Sequence, residues 1–421
     1  MSLLNNSENR RNVIFYFQVH QPRRLRPMRF FDIGSGHSYF NDSLNRDIVQ
    51  RVAKSCYLPA NALLLKVIQK NPNVRINFSI SGVALEQFEE FAPEVIESFR
   101  ALAETGSVEF LGETYYHSLA CLIPGHEFEI QILKHAELVE KLFGKRPRVF
   151  RNTELIYSDE IGRRVAALDF RGIFTDGVQK ILGNSKSVNQ VYHHPEDPSL
   201  KILLRNYLLS DDIAFRFNHH HAPLTAETYV SWLSDIPAFE RIVNIAMDYE
   251  TFGEHQKKET GIFSFLKKLL STLARSSSHR MMSATEAVDM LESAGKLSVP
   301  QHVSWADHER DLSAWIGNDM QKDALASLLK LDKPVKAAAN AQMLKLWRSL
   351  QTSDHFYYMS TKRGTDGAVH DYFSPFPSPY EAFINYMNVL TDFTLHVKHS
   401  KALPRRGSMH SQTPATEILG V

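Results

Sequence analysis

The sequence is poor in cysteine, in net charge and in long apolar runs. Its only cysteines, Cys56 and Cys121, lack the C-x-x-C spacing, so we predict two reduced thiols rather than a disulfide or zinc framework. The 48 Lys and Arg residues nearly balance the 47 Asp and Glu residues, and this balance does not indicate binding to nucleic acid or to an anionic membrane. A neutral, polar substrate is the better expectation.

Signals for export, membrane insertion and several common chemistries are missing as well. No stretch reaches the ~18 consecutive apolar residues that a transmembrane helix needs. The N-terminal segment MSLLNNSENRRNVIFYF lacks the basic leader, apolar core and cleavage site of a signal peptide, and we therefore expect a cytoplasmic protein. The fingerprints G-x-G-x-x-G, G-x-x-x-x-G-K-[ST] and G-x-S-x-G do not occur, so nucleotide binding and serine-hydrolase chemistry have no support.

What the sequence does contain is a repeated alternation of apolar segments, polar residues and helical segments. The run VIFYFQVH ends at His20-Gln21-Pro22, because proline cannot continue a strand ladder. The run VEFL at 108–111 is followed directly by the polar cluster GETYYH. Repeated over about 300 residues, this alternation predicts an α/β fold, a parallel barrel whose polar site lies at the carboxyl rim.

The composition changes after about residue 300, where segments rich in Ala, Leu, Met and Phe at helical spacing take over. We predict a catalytic barrel over residues 12–300, a helical region over 301–397 that completes the active-site cleft, and a flexible tail over 398–421. We also expect residues 23–56 to form a long polar and aromatic loop, and residues 304–325 to be helix-like.

Two carboxylates follow separate apolar runs of the predicted barrel. Glu154 follows a short run containing Val149 and Phe150, and Asp248 follows the run IVNIA. Hydrolysis of a glycosidic bond needs such a pair, since one group attacks the anomeric carbon while the other protonates the leaving oxygen. We predict Glu154 as the nucleophile, kept ionised with the aid of Arg151, and Asp248 as a general acid/base with a raised pKa. The competing interpretation is a helix N-cap or a surface ion pair.

Other polar clusters give weaker indications. The run His219-His220-His221 lacks the i, i+4 spacing of helical zinc ligands, so metal ligation is the less favoured interpretation. Trp305 and Trp315 share a segment with Asp307. They fit either a buried core or a sugar site, in which an aromatic ring stacks on the sugar and carboxylates bind its hydroxyls.

Five separated stretches together resemble the motifs of glycoside hydrolase family 57, in particular of its α-amylase branch. They are His20-Gln21-Pro22, Gly112-Glu113 with His117, Arg151–Glu154, Asp248–Gly253 and Trp305–Asn318. The resemblance extends from about residue 12 to about residue 395. Many relatives have a tryptophan shortly before the nucleophile and G-Q-x-E in the second motif, whereas this chain has FRNT and GETYYH. These departures fit the amylase branch better than the glucanotransferase or branching-enzyme branches.

The resemblance implies a distorted (β/α)7 TIM-like barrel followed by a C-terminal helical bundle. It implies retaining hydrolysis of α-1,4-glucans such as starch, glycogen or maltooligosaccharides by double displacement, without a metal or an organic cofactor. Carried over position by position, Glu154 is the nucleophile and Asp248 the acid/base. The residues implied to line the glucose subsites are His20, Glu113, His117, Trp305, Asp307 and Trp315.

Three alternatives stay open at this point. A 4-α-glucanotransferase shares the glycosyl-enzyme intermediate and differs only in whether water or a sugar resolves it. A metal-dependent polysaccharide deacetylase also carries His and Asp residues at strand ends. The third alternative is a glucan-binding protein without catalytic activity. The sequence does not indicate the oligomeric state or the preferred chain length of the glucan.

Overall fold

The computed structural model describes residues 10–218, 224–237, 239–362 and 374–402. Within these residues one sheet contains nine strands. They are β1 (Arg11–Val19), β2 (Ile76–Ile80), β3 (Val108–Phe110), β4 (Val149–Arg151), β5 (Gly172–Asp176), β6 (Val191–His193), β7 (Lys201–Arg205), β8 (Ile242–Asp248) and β9 (His279–Met281).

Seven of the strands form a curved parallel sheet in the order β3-β2-β1-β8-β7-β5-β4. The two edge strands, β3 and β4, are joined through Gly112, which directly follows the β3 segment. The Gly112 N–H donates to the Val149 carbonyl (2.9 Å), and the Gly112 carbonyl accepts from the Arg151 N–H (2.8 Å). β7 and β8 are paired at a single position, Arg205 with Asn244, which distorts the ring there. The predicted α/β fold with a parallel, barrel-like sheet is confirmed.

Helices connect the strands and continue beyond the sheet. The α-helices in the described part of the chain are α1 (Asp42–Val52), α2 (Leu58–Lys70), α3 (Gly82–Phe91), α4 (Pro93–Glu104), α5 (Glu127–Phe143), α6 (Asp159–Ala166), α7 (Gln179–Leu182), α8 (Tyr207–Ala214), α9 (Ala226–Asp235), α10 (Ile262–Arg275), α11 (Ala284–Met290), α12 (Ser313–Ile316), α13 (Asp319–Leu329), α14 (Asp332–Ala338), α15 (Ala341–Ser349), α16 (Ser353–Tyr357) and α17 (Pro379–Ala402). A π-helical turn, Ala53–Tyr57, joins α1 to α2.

Local sequence explains where these elements begin and end. The residues of β1 after Arg11 are all buried, as expected for a central parallel strand covered on both faces. Ser81 begins α3 by accepting a hydrogen bond from the Ala84 N–H, and Gly144 ends α5 in the left-handed conformation. Each strand therefore ends at a defined residue, and the loops that follow β1, β3, β4 and β8 begin at the same rim.

The C-terminal helices share a hydrophobic core with one side of the barrel. One large cluster packs β1, β2, β3 and β8 against the helices on that side of the sheet. A second cluster contains Phe150 of β4 and Ile173 of β5 together with Trp315, Trp347 and Tyr386. The predicted helical region after residue 300 is present, and it packs on the side of the barrel from which Glu154 emerges.

Two local predictions are wrong for part of their segment. The segment 23–56, expected to be a loop, contains α1 and most of the π-helical turn. The segment 304–325, expected to be helix-like, is made of turns until Ser313, because Asp307 (φ 56°) and Arg310 (φ 51°) adopt left-handed conformations that a helix does not accept.

The other predictions have different outcomes. Cys56 and Cys121 are free and buried, which confirms the predicted thiols. Among the described helices, none is long and apolar enough to cross a bilayer. The domain boundaries at residues 12–300 and 301–397 stay predictions. His219 to His221, and the predicted tail beyond residue 402, lie outside the described residues.

Candidate active site

Glu154 lies on a tight turn directly after β4. The turn, Thr153–Leu155, is a single 3-10 turn in which Glu154 adopts the left-handed conformation (φ 58°). Its carboxylate has three neighbours: Oε2 accepts from the Trp305 indole N–H (2.7 Å), Oε1 accepts from the Ser353 hydroxyl (3.0 Å), and Oε1 lies 3.4 Å from His117 Nε2. The side chain is about one-fifth exposed. These contacts fix both oxygens while leaving the group open to one side.

His117 bridges two carboxylates in the loop after β3. Its Nδ1 lies 3.1 Å from Glu113 Oε2 and its Nε2 3.4 Å from Glu154 Oε1. Ionised carboxylates only accept hydrogen bonds, so both ring nitrogens must donate and the ring is an imidazolium. Burial disfavours that charge, but the hydrogen bonds to Glu113 and Glu154 outweigh burial and raise the pKa of His117 to about 9.

Glu113 is a fully buried carboxylate behind His117. Burial opposes its ionisation, yet the hydrogen bond and charge of His117 lower its pKa to about 2. Arg151, also fully buried, places Nη1 3.9 Å from Glu113 Oε2. The backbone N–H of Glu113 donates to His135 Nδ1 (3.2 Å), and His135 Nε2 lies 2.8 Å from the Ile80 carbonyl. Glu113 is thereby held from both its side chain and its backbone.

His20 follows the end of β1 and stacks on His117. The two ring centroids are 3.9 Å apart and the rings are 18° from parallel. His20 Nδ1 lies 2.7 Å from the Ser81 hydroxyl, and its Nε2 lies 3.0 Å from Asp354 Oδ2. Burial, followed by the charge of His117, lowers the pKa of His20, whereas the charge of His20 and its hydrogen bond overcome burial and lower the pKa of Asp354. The pKa values of the two stacked histidines are therefore shifted in opposite directions.

Asp248 is the last residue of β8 and lies beside β1, in register with Gln18. Gln18 is buried and its side-chain amide donates to the Glu113 carboxylate (3.4 and 3.5 Å). Burial, followed by the negative charge of Glu154, raises the pKa of Asp248 to about 6. Glu154 behaves oppositely: burial opposes ionisation, but His117 and then Arg151 hold its pKa below the ordinary value. The two carboxylates thus lie within electrostatic range of each other with pKa values pushed apart.

Trp305 belongs to the turn segment that replaces the expected helix. Its indole N–H donates to the Glu154 carboxylate, and its backbone N–H donates to the Glu154 carbonyl (3.2 Å). The guanidinium groups of Arg151 and Arg205 lie 4.9 and 5.6 Å from the ring centroid, within the range of cation–π attraction. The ring is therefore anchored against the nucleophile candidate.

Two of the predicted subsite residues are engaged in other contacts. Asp307 is nearly buried and its Oδ2 forms an ion pair with Lys362 Nζ (2.9 Å). Trp315 is fully buried within the core shared by barrel and helices, so its ring has no face available to a sugar. The expectation that Trp315 lines a glucose subsite therefore requires correction: it is a core residue, which was the competing interpretation.

Sequence reasoning missed three side chains at this site. Ser353 and Asp354 begin α16, and the sequence TSDHF looks like an ordinary helix start. Nothing in that pattern shows that the helix faces the barrel. Gln18 could have been found, because a polar residue inside an otherwise apolar buried strand is itself a signal. The structure places Gln18 against Glu113, Ser353 against Glu154 and Asp354 against His20.

A metal centre finds no support in the described part of the chain. No group of three His, Cys, Asp or Glu side chains there is arranged to hold a metal ion. The residues that could have formed one by sequence, His219 to His221, lie outside that part.

Comparison with known proteins gives consistent matches. The sequence model of glycosyl hydrolase family 57 matches residues 14–300. A Methanocaldococcus jannaschii protein that is provisionally named an α-amylase is 42% identical over 405 residues, which cover 92% of this chain and 85% of that protein.

Solved structures with the same fold are more distant in sequence. The GH57-type branching enzyme of Pyrococcus horikoshii superposes with a TM-score of 0.67 at 15% identity, covering 90% of this chain and 88% of that one. The 4-α-glucanotransferase of Thermococcus litoralis superposes with a TM-score of 0.66 at 15% identity, covering 83% of this chain and 56% of that one. At such identity the likeness establishes the fold alone.

Proposed function

Because this chain belongs to glycosyl hydrolase family 57, we propose that it is a retaining α-amylase-type enzyme that hydrolyses α-1,4-glucosidic bonds. The substrates are starch, glycogen or maltooligosaccharides. The chemistry resides in Glu154 and Asp248, with Glu154 as nucleophile and Asp248 as general acid/base. The name of the 42% identical relative supports this choice.

The observation that carries the proposal is that the pKa values of these two carboxylates are shifted in opposite directions. Glu154 is held ionised by His117, as a nucleophile must be. Asp248 has its pKa raised to about 6 by burial and by the charge of Glu154, as a proton donor must. Titratable pairs whose surroundings push their pKa values apart mark acid/base roles in enzymes, and the two carboxylates of lysozyme are one example.

The reaction follows from these roles. Glu154 attacks the anomeric carbon, while Asp248 gives its proton to the glycosidic oxygen that leaves with the rest of the glucan. The resulting glycosyl-enzyme ester is then cleaved by water, from which Asp248, now ionised, removes a proton. Retention requires carboxyl groups about 5–5.5 Å apart, and this separation is our expectation for Glu154 and Asp248.

The neighbouring side chains are proposed to support this chemistry. His117 and the Trp305 indole N–H donate to the ground-state carboxylate of Glu154, and they orient it toward the sugar. His20 is proposed to border the bound glucose units, whereas Glu113, fully buried behind His117, is proposed to act through His117. A subsite role for Asp307 stays a prediction, because its carboxylate pairs with Lys362. The buried Trp315 is not included.

The decisive experiment is incubation of the full chain with soluble starch and with maltooligosaccharides. We expect shorter products, with the α-anomer released first, because two displacements restore the configuration. Glu154→Gln should lose nearly all turnover and still bind glucan, because the amide cannot attack the anomeric carbon. Unchanged turnover in Glu154→Gln, or release of the β-anomer, would contradict the proposal.

Glu160→Gln is the matched control, since it makes the same chemical change at an exposed carboxylate six residues away. It should leave turnover unchanged. The same product analysis separates hydrolysis from transfer. A 4-α-glucanotransferase would convert a single maltooligosaccharide into longer as well as shorter chains, whereas a hydrolase yields only shorter ones.

A further inference from the structure

The C-terminal helical region enters the candidate site through the first turn of α16. The Thr352 hydroxyl donates to the Tyr116 carbonyl (3.0 Å), and the Ser353 N–H donates to the His117 carbonyl (2.9 Å). These two bonds dock the start of α16 on the loop that follows β3. As a result, Asp354 faces His20, a residue more than three hundred positions earlier in the chain.

The hydrogen-bond partners of His20 determine where its proton lies. An ionised Asp354 only accepts, so His20 Nε2 must carry the hydrogen of the 3.0 Å bond. The Ser81 oxygen already accepts from the Ala84 N–H (3.2 Å), which leaves its own hydrogen free to donate to His20 Nδ1. Burial and the charge of His117 lower the pKa of His20, against the opposing effect of Asp354. Above that pKa the ring is neutral, and the bond to Asp354 then places its one hydrogen on Nε2.

Both ring nitrogens of His20 are thus engaged in hydrogen bonds. The ring can therefore act on its neighbours through its flat faces. One face stacks on His117 at 3.9 Å. His117 in turn contacts Glu113 with one nitrogen and Glu154 with the other. A change in the plane of His20 would be transmitted to the plane of His117, and from there to the carboxylate of Glu154.

We propose that Asp354 is a positioning residue for the reaction: it fixes the tautomer and plane of His20, and the stacked His20 fixes the imidazolium that orients Glu154. This assigns His20 a supporting role rather than a direct hydrogen bond to substrate. It also assigns the helical region a share of the active site. The consequence for turnover rests on the proposed function, whereas the tautomer of His20 does not.

The test uses Asp354→Asn in the full chain. The amide nearly preserves the shape of the side chain but removes its charge and can either accept from or donate to His20. We expect kcat on maltooligosaccharides to fall ~10²-fold, the loss that a displacement of about 1 Å at a reacting group can cause. KM should change little, and the midpoint of thermal unfolding should stay close to that of the unchanged chain.

Asp392→Asn is the matched control. Asp392 is more deeply buried than Asp354. It also joins the helical region to the barrel side, accepting from the Gly34 N–H and the Tyr39 hydroxyl (2.5 and 2.6 Å). It has no contact with the candidate site in the described structure, so kcat should be retained. If Asp354→Asn keeps full kcat, or if both variants lose kcat equally, the proposal is overturned.

A second measurement does not depend on catalysis. In protein with 15N-labelled histidine, the His20 signals are identified by their absence in His20→Gln. We expect a single tautomer protonated at Nε2 in the unchanged chain and loss of that single state in Asp354→Asn. A ring protonated at Nδ1 would overturn the proposal. Absence of activity on every glucan, with the predicted tautomer present, would refute the proposed function and leave the geometry of Asp354 and His20 standing.

Discussion

Single residues at the site adopt conformations that are otherwise costly. His117 (φ 48°), Glu154 (φ 58°) and Asp307 (φ 56°) are three of the predicted site residues, and all adopt the left-handed conformation. Such a conformation in a non-glycine residue costs about 1–3 kcal/mol and persists only where the surroundings enforce it. For His117 and Glu154, the enforcing contacts are the bonds among Glu113, His117, Glu154 and Trp305.

The pH dependence of activity follows from the two carboxylates. Asp248 donates a proton, so kcat/KM should fall as pH rises through about 6, roughly tenfold per pH unit. Glu154 must be ionised, and its lowered pKa places the acidic limb below the ordinary range of a glutamate. A pH profile on a maltooligosaccharide measures both limbs.

Direct titration of Asp248 by 13C NMR provides the check. In Glu154→Gln the pKa of Asp248 should fall, because one of its two main causes, the charge of Glu154, has been removed. An unchanged pKa of Asp248 would show that the two carboxylates do not interact. It would therefore contradict the assignment of Glu154 and Asp248 as a catalytic pair.

The contribution of the Trp305 indole N–H to turnover can be measured with a variant that keeps an aromatic ring beside Arg151. Trp305→Phe removes the donor to Glu154 Oε2 but keeps an aromatic ring. A hydrogen bond to a charged group contributes about 1.5–3 kcal/mol, so we expect kcat to fall ~10–100-fold. Trp347→Phe is the control, since its N–H donates to the Leu328 carbonyl in the helical core (3.1 Å). Equal losses in both variants would mean that Trp305 acts only through packing.

At the scale of elements, the loop after β8 is held by the π-helical turn Ala53–Tyr57. Three side chains of that turn bond to the loop: Ser55 to the Glu254 carboxylate, Cys56 to the Tyr249 carbonyl and Tyr57 to the Glu250 carboxylate. The contact is close enough that a Cβ on Gly253 would lie 2.0 Å from the Ser55 carbonyl oxygen. π-Helical turns are frequent at functional sites, and this one supports the loop that begins at Asp248.

Gly253→Ala tests this close packing, and Gly295→Ala is the control that introduces backbone strain without a close contact. Gly253 (φ 109°) and Gly295 (φ 126°) both adopt backbone conformations that strain alanine, but a Cβ on Gly295 meets no atom within 4 Å. We expect Gly253→Ala to lose about 1–3 kcal/mol more in free energy of unfolding than Gly295→Ala, because overpacking adds to backbone strain. Urea denaturation measures the difference, and equal losses would show that the close approach to Ser55 is not important for stability.

At the scale of the whole molecule, barrel and helical region are joined by one core and by buried polar contacts. Glu127 at the start of α5 is fully buried, and it accepts from Arg348 Nε (2.7 Å) and Nη2 (3.2 Å) of α15. Because the hydrophobic cluster around Trp315 also spans the two parts, we expect them to unfold together.

Arg348→Met should therefore destabilise the entire chain. Removing one partner leaves the buried carboxylate of Glu127 without its cation, at a cost of about 3–5 kcal/mol. Arg146→Met, which breaks the half-exposed pair with Glu140 (3.1 Å), should cost no more than about 1 kcal/mol. Unfolding followed by tryptophan fluorescence and by far-UV circular dichroism should give coincident transitions. Separate transitions would contradict the shared core.

The sequence alone predicted the strands that end in functional residues, because a buried parallel strand reads as an unbroken apolar run and its end as an abrupt change to polar residues. The strands that contain Ile14 and Ile245 were predicted in this way. The turn segment around Asp307 was predicted wrongly as helix-like, since left-handed conformations at two of its residues follow from tertiary contacts and leave no mark in helical spacing.

What the sequence by itself determined is the α/β alternation of the barrel, the helical region after it and the family, since local periodicity and short motifs carry that information. Only the tertiary structure decided that Trp315 is buried, that Trp305 donates to Glu154, and that Ser353 and Asp354 reach the barrel. These facts depend on contacts between residues 151 to 334 positions apart. No local pattern encodes such contacts, because they are set by how the helical region packs on the barrel.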